Sequence, residues 1–175
     1  IDIANTLYDP IRYYNNTMWT DLQPLLTATV TLWQALILIP YYGRLLALNT
    51  WEGTTGATYT GAVNFFARCR FSQIGDPTDQ TNGWRSDVFG RGGFIDAPTN
   101  EAIVSAAFFR NTLIVFFEYS TWQLRYVGEY GLPFIWERIS SDFGAVSPYS
   151  SIVFDQGVMT VSDRGIIQAA ANGVT

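Results

Sequence analysis

The sequence predicts an all-β fold, and three observations carry that reading. Apolar runs rich in β-branched and aromatic residues are short, and each stops at Gly, Pro, Ser or Asp. Where polar residues interleave with them, as in Thr27 to Leu32, they alternate one by one, the period of a strand with two different faces. From Asn111 to Arg164 such runs follow one another directly, which is how successive antiparallel strands with short turns read.

Taken in order, residues 1–26 form an irregular N-terminal segment. Within it Ile11-Arg-Tyr-Tyr-Asn-Asn-Thr17 reads as a short strand ending in a turn. Asp21-Leu-Gln-Pro-Leu-Leu26 reads as one helical turn with Asp21 as its cap. Thr27 to Ile39 competes between strand and a helix over Leu32 to Leu38. The β-branched content and Pro40, which closes the run, favour the strand. Arg44 to Thr50 is a buried strand, followed by a Gly/Thr-rich turn from Gly53. Asn64 to Ile74 is the next strand, setting Phe66, Arg68 and Arg70 against Ala67, Cys69 and Phe71. Gly75 to Gly93 is a long loop, and Glu101 to Phe109 a strand. Then come the apolar runs Asn111–Gly128, which holds the compact strand Thr112–Phe117, Pro133–Ser140 and Ser151–Arg164.

Composition excludes several classes of function. The chain of 175 residues has no histidine and one cysteine, Cys69. An internal disulfide, a cysteine-cluster metal site, a Ser-His-Asp triad, a Cys-His dyad and the usual zinc sets are therefore out of reach. No catalytic residue, cofactor or metal site is expected. Lysine is absent, so all ten cations are arginines, which suit forked contacts to carboxylates and protein interfaces. The net charge of −5 disfavours a surface that grips nucleic acid but suits a wall past which DNA slides. The longest apolar window, Leu32 to Tyr42, is broken by Gln34 and Pro40 and is too short to span a membrane. Ile1 to Pro10 has no basic n-region of a signal peptide. Ile1 is not an initiator, which fits processing or, as favoured here, an excerpt from a longer protein.

Candidate constellations have plainer readings beside them. Asp76-Pro-Thr-Asp79 can offer two carboxylates to calcium, but the simpler account is an Asx-capped turn. Gly90-Arg-Gly-Gly93 lacks the strand and helix of a phosphate loop and reads as a flexible loop tip. Glu118, Glu129, Glu137, Asp142 and Asp155 can supply a carboxylate pair for sugar hydrolysis, although solvated acids at strand ends are ordinary. The Ser-x-Asp-x-Gly-x-x-Trp turn of sialidases is missing, and Ser140-Ser-Asp-Phe-Gly144 lacks its Trp. Trp122, Tyr126, Tyr130, Phe134 and Trp136 are candidate packing and interface aromatics, with stacking on sugar rings as the alternative. Trp122, Leu124 and Tyr126 share one strand face, packed, while Gln123 and Arg125 take the other, wet face. Arg125 and Arg138 are candidate structural ion-pair arginines. Cys69 reads as a buried, inert thiol. Asn15-Asn-Thr17 matches a glycosylation sequon.

A weak repeat runs through the chain. Arg44-Leu-Leu-Ala-Leu-Asn49, Thr112-Leu-Ile-Val-Phe-Phe117 and Gly157-Val-Met-Thr-Val-Ser162 are each a compact apolar strand entered from a turn. Propeller blades of about 40–50 residues fit that spacing. Residues 27–175 then hold about three to four blades, so the propeller is incomplete in this chain.

The run from Leu36 to Gly165 resembles the β-propeller proteins that form the tail hub or nozzle of tailed bacteriophages. The residues that carry the likeness are Ile39-Pro-Tyr-Tyr-Gly-Arg-Leu-Leu-Ala-Leu-Asn49 and Arg70-Phe-Ser-Gln-Ile-Gly-Asp-Pro77. To these are added Thr112-Leu-Ile-Val-Phe-Phe-Glu-Tyr-Ser-Thr-Trp-Gln-Leu124 and Val146-Ser-Pro-Tyr-Ser-Ser-Ile-Val-Phe-Asp-Gln-Gly-Val-Met-Thr160. The resemblance implies antiparallel blades and a structural, non-enzymatic virion protein of the tail. It implies a homo-oligomeric ring joined to other tail and portal-proximal proteins, and a conduit through which DNA passes without specific binding. Two other functions compete: a module that recognises host-surface glycan through the Trp122–Trp136 aromatics, and a propeller carbohydrate-active enzyme.

Overall fold

A computed structural model describes residues 10–56, 61–129, 131–170 and 172–175. Among them there is no α-helix. The protein is all-β, and its chain divides into two compact units, Ile1–Phe94 and Ile95–Thr175.

The first unit opens with a hairpin of β1 (Arg12–Tyr14) and β2 (Trp19–Asp21). Asn15 Oδ1 closes its turn by accepting the backbone N–H groups of Thr17 and Met18. The helical turn expected from Asp21 does not form. Asp21 ends β2, and its carboxylate accepts the Arg12 Nε–H at 2.9 Å, so it is not free to cap anything.

Four strands then build one antiparallel sheet in chain order: β3 (Val30–Tyr41), β4 (Arg44–Thr54), β5 (Val63–Phe71) and β6 (Gly93–Asp96). Pro40 does not end β3. It pairs with Leu45, which a proline can do because β3 is an edge strand and its missing N–H points away from the ladder. Tyr42 and Gly43, both at positive φ, make the two-residue turn into β4 that matches strand twist. The β4–β5 register slips between Leu48 and Thr50, where Asn49 takes φ +54°. That bulge upsets the simple alternation expected for β5. Cys69, Arg70 and Phe71 are all buried.

Residues between β5 and β6 are not a slack loop. Trp84 is fully buried among Leu22, Leu26, Leu32 and Ala47, and its Nε1–H donates to the Pro77 carbonyl at 2.8 Å. Asp76 and Asp79 each cap a turn: Asp76 Oδ1 accepts from Thr78 N and Oγ1, and Asp79 Oδ1 from Thr81 N and Asn82 N. The glycine run at 90–93 is anchored rather than flexible. A side chain at Gly92 would meet the Trp84 backbone, and one at Gly93 the Phe71 ring, so these glycines permit close packing.

The second unit holds two more sheets of the same kind. One is β7 (Ile103–Phe109), β8 (Thr112–Phe117), β9 (Thr121–Tyr126) and β10 (Phe134–Ser140). The other is β11 (Ile152–Phe154), β12 (Gly157–Ser162), β13 (Gly165–Ala170) and β14 (Gly173–Val174). In every sheet chain order equals spatial order, and neighbours are antiparallel where their register is defined. None closes on itself. The three segments of the sequence repeat lie in β4, β8 and β12, the second strand of each sheet.

These last two sheets stack face to face and in step. β7 lies against β11 and β12, and β10 against β14. Ile114 and Phe116 of β8 meet Val158, Ile167 and Ala169 in the shared core, with Ala145 between the sheets in sequence. The connection from β10 to β11 is pinned to the first of them. Thr121 Oγ1 donates to the Phe143 carbonyl at 2.6 Å, and the Ala145 N–H to the Phe117 carbonyl at 2.9 Å. Ser105 Oγ bonds the Pro148 carbonyl and Ser151 Oγ.

Candidate interaction surface

The aromatic run sits on β9 and β10. Antiparallel pairing sets Phe134 opposite Tyr126, Trp136 opposite Leu124 and Arg138 opposite Trp122. Cross-strand partners share a face, so one ring-lined face results. Trp122 and Phe134 are buried, whereas Tyr126 and Trp136 are half-buried. Phe117 meets Trp122 and Trp136 with centroids at 6.1 and 5.8 Å, and Tyr126 meets Phe134 at 5.6 Å. These tilted and edge-on geometries are those of core packing. Tyr130 lies outside the described residues.

The opposite face carries Gln123, Arg125 and Glu137. Along β9 and β10 it is partly wet, with Arg125 exposed, but along β8 the same face is Ile114 and Phe116, buried against the next sheet. Arg125 Nη2 reaches Glu137 Oε1 at 2.6 Å, and Gln123 Nε2 donates to Oε2 at 2.6 Å. The Arg125 hydrogen bond, opposed by partial burial and aided by the Gln123 hydrogen bond, holds the Glu137 carboxyl below its ordinary range. Arg138 does not behave as expected. It makes no ion pair among the described residues, and its guanidinium lies 5.7 Å from the Trp122 ring centroid. The register explains this: Arg138 faces an indole, while Glu137, beside it in sequence, points to the other side.

A stronger charge cluster escaped the sequence reading. Glu52 on β4 is 3 % exposed, and Arg70 on β5 is 4 % exposed. Arg70 binds it through a fork, Nε to Oε1 at 2.8 Å and Nη2 to Oε2 at 2.6 Å. Arg68 Nη1 adds a contact at 3.2 Å and Thr50 Oγ1 one at 2.8 Å. The rings of Phe65 and Phe94 flank the guanidiniums, 3.9 and 4.1 Å from Arg68. Such rings both shield and attract a guanidinium. The only hint in the sequence was the i, i+2 spacing of Arg68 and Arg70 on one strand face. Nothing marked Glu52 as their partner.

Two of the other candidate carboxylates are occupied locally. Glu118 accepts the Ala102 N–H, and Asp142 accepts from Ser141 Oγ. Cys69 is buried. No group of three or more metal-ligating side chains occurs among the described residues, and none of their helices is long and apolar enough to cross a membrane.

The most conspicuous surface was also missed. On the sheet of β11 to β14, Val158, Ile167 and Ala169 point toward β8. The alternate positions point away: Ile152, Phe154, Val161 and Ile166 are 59, 50, 43 and 70 % exposed. Val161 pairs directly with Ile166, and Ile152 with Met159, so the four form one apolar face. Isolated apolar side chains on a surface are ordinary, but a contiguous face marks a contact with another surface. The alternation Ile152–Phe154 was visible in the sequence, but Gly165 to Ala170 gave no strand with which to pair it. No protein-family model matches the chain, and no curated protein matches its sequence.

Proposed function

We propose that this chain is a structural protein of a bacteriophage tail, a segment of a propeller-type hub or nozzle that forms a ring-shaped conduit for genome exit. One observation carries the reading: three four-stranded antiparallel meanders follow one another along the chain, and the last two stack strand for strand. Propeller blades repeat in this way, each sheet burying its faces on its neighbours. The apolar face of Ile152, Phe154, Val161 and Ile166 fits the same pattern. It presents to a further meander what the β8 face presents to β12 and β13.

Chemistry favours the same reading. A conduit needs no catalyst, and the chain has no histidine. An acidic, lysine-free protein repels phosphate from its walls. The competing glycan-binding role through the Trp122–Trp136 run gains less support, because Trp122 and Phe134 are buried and have no free ring face to offer. The test is gold labelling of negatively stained virions with antibody against this chain. Label on the tail axis is expected. Label only on the head or on fibre tips would refute the role.

A further inference from the structure

A cleft of about 750 Å³ opens in the second unit, lined by Phe109, Arg110, Asp155, Gln156, Gln168 and Asn172 among others. It lies where turns of both sheets converge: the β7–β8 hairpin, the β11–β12 hairpin and the β13–β14 connection. Its size suits a small ligand. Its lining is dominated by side chains that recognise polar groups, and an apolar guest would leave them unsatisfied.

Arg110 is the residue that calls for explanation. It is the first residue of the two-residue loop between Phe109 and Thr112, which pair across the hairpin, and it holds φ +56°. Glycine or asparagine ordinarily occupies such a position, because a side chain there is strained. Strained positions of this kind concentrate at ligand clamps, where the side chain itself is required. The guanidinium packs 5.1 Å from the Phe109 ring centroid, which braces it at the cleft wall. Asp155, in the β11–β12 turn, lines the same cleft, and the Gln168 side chain donates to the Gln156 carbonyl at 3.2 Å, fixing that amide.

We infer that this cleft binds a small acidic saccharide. Arg110 would fork to the sugar carboxylate, while Asp155 and the amides of Gln168 and Asn172 take its hydroxyls. Asp155 limits the ligand to a single negative charge, which Arg110 neutralises: its carboxylate repels a polyanion such as nucleic acid and accepts from hydroxyls. This inference does not rest on the tail reading and uses none of the residues that carry it.

The experiment is calorimetric titration of the chain with galacturonate and N-acetylneuraminate, with galactose as the uncharged control. Saturable binding of an acidic sugar is expected, with galactose about tenfold weaker or worse. Arg110→Gly should hold or raise the thermal midpoint, since glycine accepts the positive φ, yet weaken acidic-sugar binding about tenfold or more. Asp155→Ala, at a turn residue outside the core, should weaken both sugars. No saturable binding by the unaltered chain would overturn the inference. So would equal binding of galactose and the acidic sugars, or unchanged affinity in Arg110→Gly.

Discussion

Glu52 and its two arginines show how much one buried charge can matter. Removing Glu52 leaves Arg68 and Arg70 desolvated and without their shared acid. Such uncompensated charge costs about 3–5 kcal/mol. Glu52→Ala should therefore lower the urea midpoint strongly, while Glu52→Ala combined with Arg70→Ala should lose less than the sum of the single changes. An additive result would mean that the fork seen here is not an energetic unit. Glu137 behaves differently because it is only half-buried. Its carboxyl is held below the ordinary value of 4.5 mainly by Arg125. The folded state thus favours the ionised form more than the unfolded state does. The resulting stabilisation is complete above the ordinary carboxylate range and is lost as pH falls through the depressed folded value. Asp76, held down by its Thr78 hydrogen bonds, and Asp87, held down by Arg85, act in the same direction. Thermal midpoints should fall on acidification below about pH 4.5, and Glu137→Gln should make that fall shallower. A midpoint that rises toward low pH would contradict the assignment.

At the scale of elements, the strands that alternate or end at strong turns were legible: β1, β3, β4, β5, β7, β8, β9, β10, β11 and β12 all overlap the expected runs. Even so, β3 continues past Pro40, β4 runs on to Thr54 where a turn was expected from Gly53, and β5 begins one residue early at Val63. Four strands were not. β2 (Trp19–Asp21) lies in the segment read as irregular and ends on the residue taken for a helix cap. β6 is four residues, Gly93–Asp96, and opens on a glycine kept small by the Phe71 ring rather than by a turn. β13 and β14 carry Gly, Ala and Gln, whose weak strand preference is overridden by pairing with β12. The helical turn at Asp21 failed because a tertiary partner, Arg12, claims the carboxylate. Arg138 failed because strand pairing, invisible in one sequence, decides which neighbour a side chain faces. Packing between elements gives two further expectations. Phe116→Ala empties the core shared by β8, β12 and β13 and should cost about 3–5 kcal/mol in denaturant unfolding. Gly144→Ala places a methyl group against the Phe117 carbonyl and the Glu118 backbone. Neither neighbour is a flexible side chain, so the change should cost about 1–3 kcal/mol. A neutral result at Gly144 would mean that the connection from β10 to β11 shifts freely, against its hydrogen bonds to β8.

For the whole molecule, stacking explains why the apolar content is so high in a chain with little charge. The β7–β10 sheet buries one face on β12 and β13 and packs aromatic rings on the other, so its strands need not alternate with polar residues. Leu113 to Phe117 is such a run, and it is buried throughout. The outer face of the last sheet has the same composition but is open in a single chain. The proposed ring on a tail axis would supply the neighbours that cover this face. Cryo-electron microscopy of the native particle that contains this chain tests that claim most directly. The account predicts that meanders stacked in the observed order appear in a symmetric ring on the tail axis, with a further sheet covering Ile152, Phe154, Val161 and Ile166. A free monomer with that face bare, or density at the tip of a fibre, would contradict it.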